Sequence, residues 1–462
     1  MRKHPNILFI LSDQQRWDTL GCYGQKLQIS PNLDRMAAEG VRFEYAFTCQ
    51  PVCGPARACL QTGKYATETG CFRNNIALPP GARTLAHYLS DTGYEVGYIG
   101  KWHLASSGEG LNHLASDQSE LVEYSYQSKP IPPERRGGYR DFWLAADILE
   151  FTSHGYDGHL FDEDMQTVEF KGYRVDCLTD FALDYLHNRD RHKPFFLFLS
   201  YLEPHHQNDH RRYEGPVGSK ELFGNFEPPG DLAVLEGDWP EQFPDYLGCC
   251  ASLDHNLGRI RNALNELYLS DNTVIIYTSD HGSHFRTRNR ELEGDSYDDY
   301  KRSCHEASIR IPLIAYGPGF TGGKVIRELV SLIDLPPTIL SCAGLEKPEQ
   351  MRGRPVQELV LETANNWPRE LFLQISESQV GRALRTKKWK YSVRALGKGG
   401  VQEPSSDLYT EDFLYDLDED PWELNNLVKN PSYGEVRKTL AEVLIRRMAE
   451  AGEEIPKIHP AP

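Results

Sequence analysis

Over its first three quarters the chain alternates short, nearly uninterrupted apolar runs with helical patterns. A strand covered on both faces reads as a continuous run of Ile, Val, Leu and Phe, whereas a strand with one wet face alternates. The runs Ile7 to Leu11, Glu95 to Ile99, Phe195 to Ser200, Val274 to Thr278 and Pro312 to Tyr316 are therefore strand candidates for a sheet with helices on both faces. Between them, Ser30-Pro31 starts a helix that carries Leu33, Met36 and Ala37 and stops at Gly40. Val175, Leu178, Phe181, Ala182, Tyr185 and Leu186 recur at helical spacing, and a further helix is expected over Tyr246 to Tyr268 with Leu253, Leu257, Ile260, Leu264 and Leu267 inward.

Asp117 to Asp164 shows no clean period and contains Pro130, Pro132, Pro133, Gly137 and Gly138, so it reads as an irregular insertion over the sheet edge. After Pro355 the pattern changes. Leu371 to Ser376, Ala383 to Val393 and Phe413 to Leu417 read as antiparallel strands, followed by a helix over Tyr433 to Ala451. The expected organisation is an α/β unit over 1–355 and a smaller C-terminal α+β unit over 356–462.

A formal net charge of −17 repels polyanions, so nucleic acid is not an expected partner. Ten cysteines in 462 residues are too dilute for a disulfide scaffold, and Cys49, Cys53, Cys59 and Cys71 lack the paired spacing of a zinc site. Most read as reduced structural thiols. The apolar start Ile7 to Leu11 is too short for a signal-peptide core or a membrane span, so the expectation is a cytoplasmic chain without a membrane partner.

Four strand candidates run directly into metal- or anion-binding residues: Leu11 into Asp13-Gln14, Ile99 into Lys101 and His103, Leu199 into His205-His206, and Tyr277 into Asp280-His281. Ligands of open α/β sheets bind beyond the carboxyl ends of the strands. One such end would be a helix cap; four together point to a shared site. Cys53-Gly54-Pro55-Ala56-Arg57 opens a helix stopped by Gly63, which puts Cys53 near the positive end of a helix dipole, where an anion or thiolate is favoured.

The string Cys53, Pro55, Arg57, Leu60, Thr62 and Gly63 resembles the sulfatase signature, in which the cysteine is oxidised to formylglycine. The resemblance runs from Asn6 to about Leu427. It includes Ile10 to Gln15, Gly100-Lys101-Trp102-His103, Thr278 to Gly282, Glu306 to Pro312 preceded by Lys301, and Tyr415-Asp416-Leu417 with Asp420-Pro421 and Asn426-Leu427. The chain is identified as a type I sulfatase of the alkaline phosphatase superfamily. The resemblance implies a large mixed sheet with helices on both faces plus a smaller C-terminal antiparallel sheet and helix.

It also implies a mechanism. Formylglycine at Cys53, hydrated to a geminal diol, would attack sulfur and form a sulfate hemiacetal, and the second hydroxyl would expel sulfate. The implied metal ligands are Asp13, Gln14, Asp280 and His281, completed by the modified Cys53. Calcium is the expected ion; magnesium or manganese also suits one imidazole and two carboxylates. Arg57 and Lys101 match the positions that stabilise the formylglycine oxygen, Lys301 the lysine on the sulfate, and His103 the residue that orients or deprotonates the diol. His205 matches the acid that protonates the leaving alcohol, with His206 as the adjacent alternative. A formylglycine-generating enzyme is the implied maturation partner, and a sulfated small molecule or oligosaccharide the implied substrate.

Other residues carry two readings each. Arg286, Arg288 and Arg290, and likewise Arg211 and Arg212, could hold a carboxylate or second sulfate, or simply be solvated. Arg135, Arg136 and Arg140 read as surface charges, and Trp102 and Trp143 as sugar-stacking or core residues. Two functions compete with a sugar sulfatase. One is a phosphonate monoester or phosphodiester hydrolase of the same superfamily, which shares the Asp-Gln and Asp-His pattern; the other is an unmodified relative that binds sulfated ligands without turnover.

Overall fold

The computed structural model describes residues 4–107, 126–289 and 300–462. The large sheet is built, in chain order, from β1 (Asn6–Ser12), β2 (Val41–Phe47), β3 (Glu95–Lys101), β4 (Phe142–Ala146), β5 (Asp157–Phe161), β6 (Thr167–Lys171), β7 (Phe195–Ser200), β8 (Thr273–Ser279), β9 (Arg310–Ile311), β10 (Leu313–Tyr316) and β11 (Lys324–Ser331). Its order is β11-β2-β10-β8-β1-β7-β3-β4-β5-β6, with β9 beside β2. The five strands β8-β1-β7-β3-β4 are mutually parallel, and the four expected to end in site residues, β8, β1, β7 and β3, are consecutive neighbours.

Alternation along these strands feeds two cores. Phe9, Leu11, Val96, Tyr98, Phe196, Phe198, Val274 and Ile276 face one side, where α2 (Cys53–Thr62) packs with Ala56, Ala58 and Leu60. Leu8, Ile10, Leu197, Leu199, Ile275 and Tyr277 face the other. That side is covered by α1 (Pro31–Glu39), α3 (Arg174–Asn188) and α4 (Trp239–Glu266). Helix α4 begins earlier than its apolar period suggests, because Pro244 inside it reads as a boundary. Among the described residues no helix is long and apolar enough to cross a membrane.

Six strands of the large sheet depart from the sequence reading: β2, β4, β5, β6, β9 and β11. β2 interleaves Arg42 and Glu44, and β11 contains Arg327 and Glu328 with a register shift between Ile326 and Leu329, so neither shows a clean run. β4 lies within the segment read as irregular. The described part of that segment extends the sheet, β4 pairing parallel with β3 and β5 closing a hairpin with β6; 117–125 lies outside the described residues.

The second sheet has five strands: β12 (Glu370–Ile375), β13 (Gly381–Thr386), β14 (Trp389–Arg394), β15 (Leu408–Asp416) and β16 (Lys457–His459). The single strand expected over Ala383 to Val393 is instead the β13–β14 hairpin, whose turn lacks a Gly or Asn to announce it. β16 adds one parallel pairing, and α5 (Gly434–Glu450) buries Leu440, Leu444 and Met448 against the sheet.

Buried charge joins the two sheets. Lys390 Nζ on β14 lies 2.7 Å from Glu306 Oε1 and 2.6 Å from Glu423 Oε1, and Arg385 Nε on β13 lies 2.9 Å from Glu306 Oε1. Burial pushes the Glu306 carboxyl up, but Arg385 and Lys390 outweigh it and hold it well below the usual carboxylate range. Glu306→Gln should destabilise the chain by about 3 kcal/mol at neutral pH, because it leaves buried cations underpaired. The folded pKa is the lower one, so this contribution is present above the unfolded value near about 4.3 and is lost as pH falls toward the folded value. Denaturant titrations of both proteins should therefore converge on acidification; a constant difference would contradict the assignment.

Candidate active site

Each site residue leaves the sheet at a locally dictated turn. Gln14 follows β1 with φ 71°, and Tyr246 locks that turn, donating to Gln14 O at 2.6 Å and accepting from Arg16 N at 2.8 Å. Gln14 N donates to Asp280 Oδ1 at 3.1 Å, which ties the ends of β1 and β8. On β3, Gly100 has φ 102°, and a Cβ there would lie 1.9 Å from Ser200 O, so only glycine lets Lys101 turn in beside β7. Gly63 ends α2 at φ 70°, where a Cβ would strike Met351.

These turns converge on Cys53, the first residue of α2 and 1% exposed. Its Sγ is 3.1 Å from His281 Nε2, 3.1 Å from Lys301 Nζ and 3.4 Å from Asp13 Oδ1. His281 Nδ1 lies 2.9 Å from Gly282 O, which fixes the ring with Nε2 toward Cys53. Asp13 Oδ2 receives Lys101 Nζ at 2.8 Å and Arg57 Nη2 at 3.0 Å, and the same Arg57 nitrogen is 3.2 Å from Asp280 Oδ2. Burial raises the Asp13 carboxyl, but Lys101, His205, Arg57 and Lys301 together hold it well below its ordinary value. Burial likewise opposes charge on Lys101, and Asp13 and Glu150 outweigh it, so the ammonium titrates above its usual range.

Asp13, Cys53, Asp280 and His281 offer donor atoms within 4.8 Å of one another, all buried, and could bind a metal ion. Asp280 Oδ2, ion-paired with Arg57 at 3.2 Å, accepts no hydrogen bond among the described residues, so this buried carboxylate oxygen keeps lone pairs for a cation. Gln14 Nε2 donates to Tyr213 OH at 2.7 Å, which turns Oε1 toward this cluster and to 3.4 Å from Lys301 Nζ. Two carboxylates, an imidazole, an amide oxygen and the group at position 53 suit a divalent ion.

The remaining expected residues are placed as follows. Lys301 Nζ is also 3.0 Å from His205 Nε2, so His205 stands beside the cation that touches Cys53. His206 points elsewhere: its ring stacks on Tyr300 with centroids 4.5 Å apart, and its Nδ1 lies 3.1 Å from Asn208 Oδ1. His103 is buried with φ 58°, and its Nδ1 has no hydrogen-bond partner among the described residues. Burial, helped by Lys101, pulls its imidazole down to about 4, which keeps it neutral at pH 7. Arg288 donates at 2.9 Å to the carbonyls of Glu423 and Trp422, and Arg286 is exposed. Arg290 lies outside the described residues. Arg212 pairs with Glu214.

One reading is corrected, and of two open readings one is decided. Arg136 is no surface charge: it is 4% exposed, donates to Ile131 O and lies over Trp143. Trp102 and Trp143 are core residues in one aromatic cluster with Tyr98 and Tyr139. All ten cysteines are free thiols.

Several residues that support the site carried no motif. Glu150 Oε2 is 3.2 Å from Lys101 Nζ, and Ser200 Oγ accepts from Arg57 Nη1 at 2.7 Å. The Asp147 carboxylate accepts from the backbone N–H groups of Leu104, Ala105 and Ser106 and so holds the His103 turn. Asn74 Oδ1 accepts from Gly54 N at 2.9 Å.

Residues 5–345 match the family model Sulfatase, and 294–450 match N-sulphoglucosamine sulphohydrolase, C-terminal. The sulfatase YidJ of Escherichia coli, whose own role is uncharacterized, is 30% identical over 96% of this chain and 87% of its own length. An N-acetylglucosamine-6-O-sulfatase of Bacteroides thetaiotaomicron is 26% identical, covering 96% of this chain and 86% of that protein. The crystal structure of a yidJ sulfatase from Bacteroides fragilis superposes with a TM-score of 0.82 at 24% identity, over 98% of this chain and 97% of that one.

Tyr213→Phe should weaken divalent-ion binding about tenfold, because it frees the Gln14 amide to rotate. Calorimetric titration of chelator-treated protein measures this. Unchanged affinity would place Gln14 outside the ligand set.

Proposed function

The chain belongs to the sulfatase family and is a sulfuric ester hydrolase, and we propose that it releases sulfate from a sulfated sugar or glycosaminoglycan fragment through formylglycine formed from Cys53. The observation that carries this reading is the position of Cys53 at the head of α2, with Lys301, His281 and Asp13 all within 3.4 Å of Sγ. Formylglycine, supplied by a separate maturation enzyme, would offer the hydroxyl of an aldehyde hydrate as nucleophile where the thiol now stands. A divalent ion, of which calcium is our choice, would bind through Asp13, Gln14, Asp280, His281 and the modified residue 53, and would supply Lewis acidity toward the sulfate oxygens.

The chain's own side chains do the rest. Arg57 and Lys101 hold Asp13 ionised and present positive charge to the nucleophilic oxygen. Lys301, facing both Cys53 and His205, would bind a sulfate oxygen and stabilise charge that grows in the transition state. His103, neutral at pH 7, can accept a proton from the hydrate or orient it. His205 would protonate the leaving alcohol through Nε2, since its Nδ1 lies 2.6 Å from His206 O and is already satisfied. His206, stacked on Tyr300, is a wall residue in this reading. Residues 1–355 would form the catalytic unit and 356–462 a smaller unit packed on it. The similarity to an N-acetylglucosamine-6-O-sulfatase supports an amino sugar sulfate as the first compound to assay.

A second reading is kept by one feature. Gln14 and His281 leave fewer anionic oxygens on the ion than an all-carboxylate set, a pattern also found in phosphonate monoester and phosphodiester hydrolases of the superfamily. Comparing sulfate release with phosphorus-ester hydrolysis in one preparation decides between them. We expect sulfate esters to be favoured by about a thousandfold, roughly 4 kcal/mol in transition-state binding; the opposite order would establish the second reading.

Two further outcomes are expected. A peptide spanning Phe43 to Arg57 from natively produced protein should carry an aldehyde at Cys53, and Cys53→Ala should abolish turnover; a thiol throughout would support the noncatalytic binding reading. His205→Ala should slow esters with poor leaving groups by roughly a hundredfold or more while sparing activated aryl sulfates, and His206→Ala should not. Equal effects on both substrate types would remove His205 from the acid role.

A further inference from the structure

A second cluster of metal-ligating side chains lies outside the Cys53 site, where two loops meet at the protein surface. His154 follows the turn that carries Glu150, and Asp209 and His210 sit at the tip of a tight loop closed by the bridge between Gln207 and Arg212. His154 Nε2 is 2.8 Å from Asp209 Oδ2, His210 Nε2 is 3.9 Å from the same oxygen, and all three donor atoms lie within 4.8 Å of one another. The side chains are 44%, 52% and 37% exposed for His154, Asp209 and His210, so the three are open to solvent ions.

The groups behind these donors are arranged as in a ligand shell. Gln207 Nε2 donates to Asp209 Oδ1 at 2.8 Å, which leaves Oδ2 for the imidazoles. His210 Nδ1 is 2.6 Å from Glu214 Oε1, and Glu214, with its side chain 13% exposed, is itself held by Arg212 Nη2 at 3.0 Å and by Gly155 N at 3.0 Å. A carboxylate on the far nitrogen of an imidazole fixes its tautomer and raises its basicity as a ligand through the other nitrogen. The two rings lie parallel with centroids 4.3 Å apart.

We propose that His154, Asp209 and His210 form a second divalent-cation site, selective for a borderline ion of the zinc class and separate from the buried cluster. Two imidazole nitrogens and one carboxylate oxygen are the donor set of zinc sites that keep an open position, whereas calcium and magnesium require more oxygen ligands than these loops offer. Tetrahedral ligands on zinc stand roughly 3.3 Å apart, a spacing bracketed by the 2.8 Å and 3.9 Å separations here. Binding fans the parallel rings apart by side-chain rotation, which their exposure permits. The bound ion clasps the segment after Glu150 to the loop after His205-His206, and so braces the rim of the active site from outside.

The test uses the full chain, treated with chelator and then held in excess calcium so that the buried cluster is occupied, and titrated with zinc chloride. Wild type should bind one zinc equivalent that His154→Ala and His210→Ala each lose, or bind at least tenfold more weakly, and Glu214→Gln should weaken it about tenfold. Zinc should raise the unfolding temperature of wild type and not of the two histidine variants, and these three proteins should unfold alike without zinc because His154 and His210 are exposed. Cobalt in place of zinc should give ligand-field absorption in wild type alone. A zinc equivalent retained at full affinity by both histidine variants belongs to the buried cluster and overturns the proposal, as does wild type that binds no zinc in excess calcium.

Discussion

The carboxylate of Asp13 is the charge around which this molecule is arranged. Removing it from water costs several kcal/mol, and the cost is met by Lys101 at 2.8 Å and Arg57 at 3.0 Å, one at the end of β3 and the other on α2. Each of those cations is itself buried and needs Asp13 as much as Asp13 needs it. The register of β1 against β7, of β7 against β3, and the seating of α2 are therefore coupled electrostatically as well as by packing. Around this centre Arg57, Lys101 and Lys301 face Asp13, Asp280 and Glu150. Three positive groups against three negative ones is a balance that a divalent ion tips to net positive, which is the field an anionic ester requires.

The small sheet takes part in this arrangement rather than merely adjoining it. Gln374 N on β12 donates to Cys49 O, four residues ahead of Cys53, at 2.9 Å. Glu377, just past β12, accepts from Asn74 N at 2.7 Å and from Arg302 Nε at 2.6 Å, and Arg302 is the neighbour of Lys301. Together with Glu306, Arg385, Lys390 and Glu423, these contacts clamp both segments that deliver groups to Cys53 from outside the parallel strands.

What could be read in the sequence follows from how each group is positioned. Asp13, Lys101, His205 and Asp280 stand within a few residues of apolar runs whose ends face one another, so local pattern and one rule of α/β sheets suffice. Cys53 and Arg57 sit in a motif dense enough to be recognised alone. Tyr213 was not legible, because it acts on Gln14 from 199 residues away through a single hydroxyl. Glu150 and Asp147 likewise act only across folded space, and their segment was misread because β4 is followed by turns that mask its short apolar run. His205 and His206 are adjacent in sequence and differ in the fold by what their rings face, Lys301 for the first and Tyr300 for the second.

Every residue of α2 is buried, and Cys53 is 1% exposed. A protein large enough to oxidise that thiol cannot reach it once the helix is seated between the Asp13 cluster and the core behind Leu60. Any oxidation of position 53 by a second protein would then have to precede closure of the fold, while 53–63 is still an extended peptide. The motif would in that case be read twice, first as a linear string by another protein and later as a helix by its own chain. Pro55 and Gly63, which shape the helix, would then be under both demands at once, and the time available for chemistry at Cys53 would be set by how fast β1, β3 and β8 assemble around it.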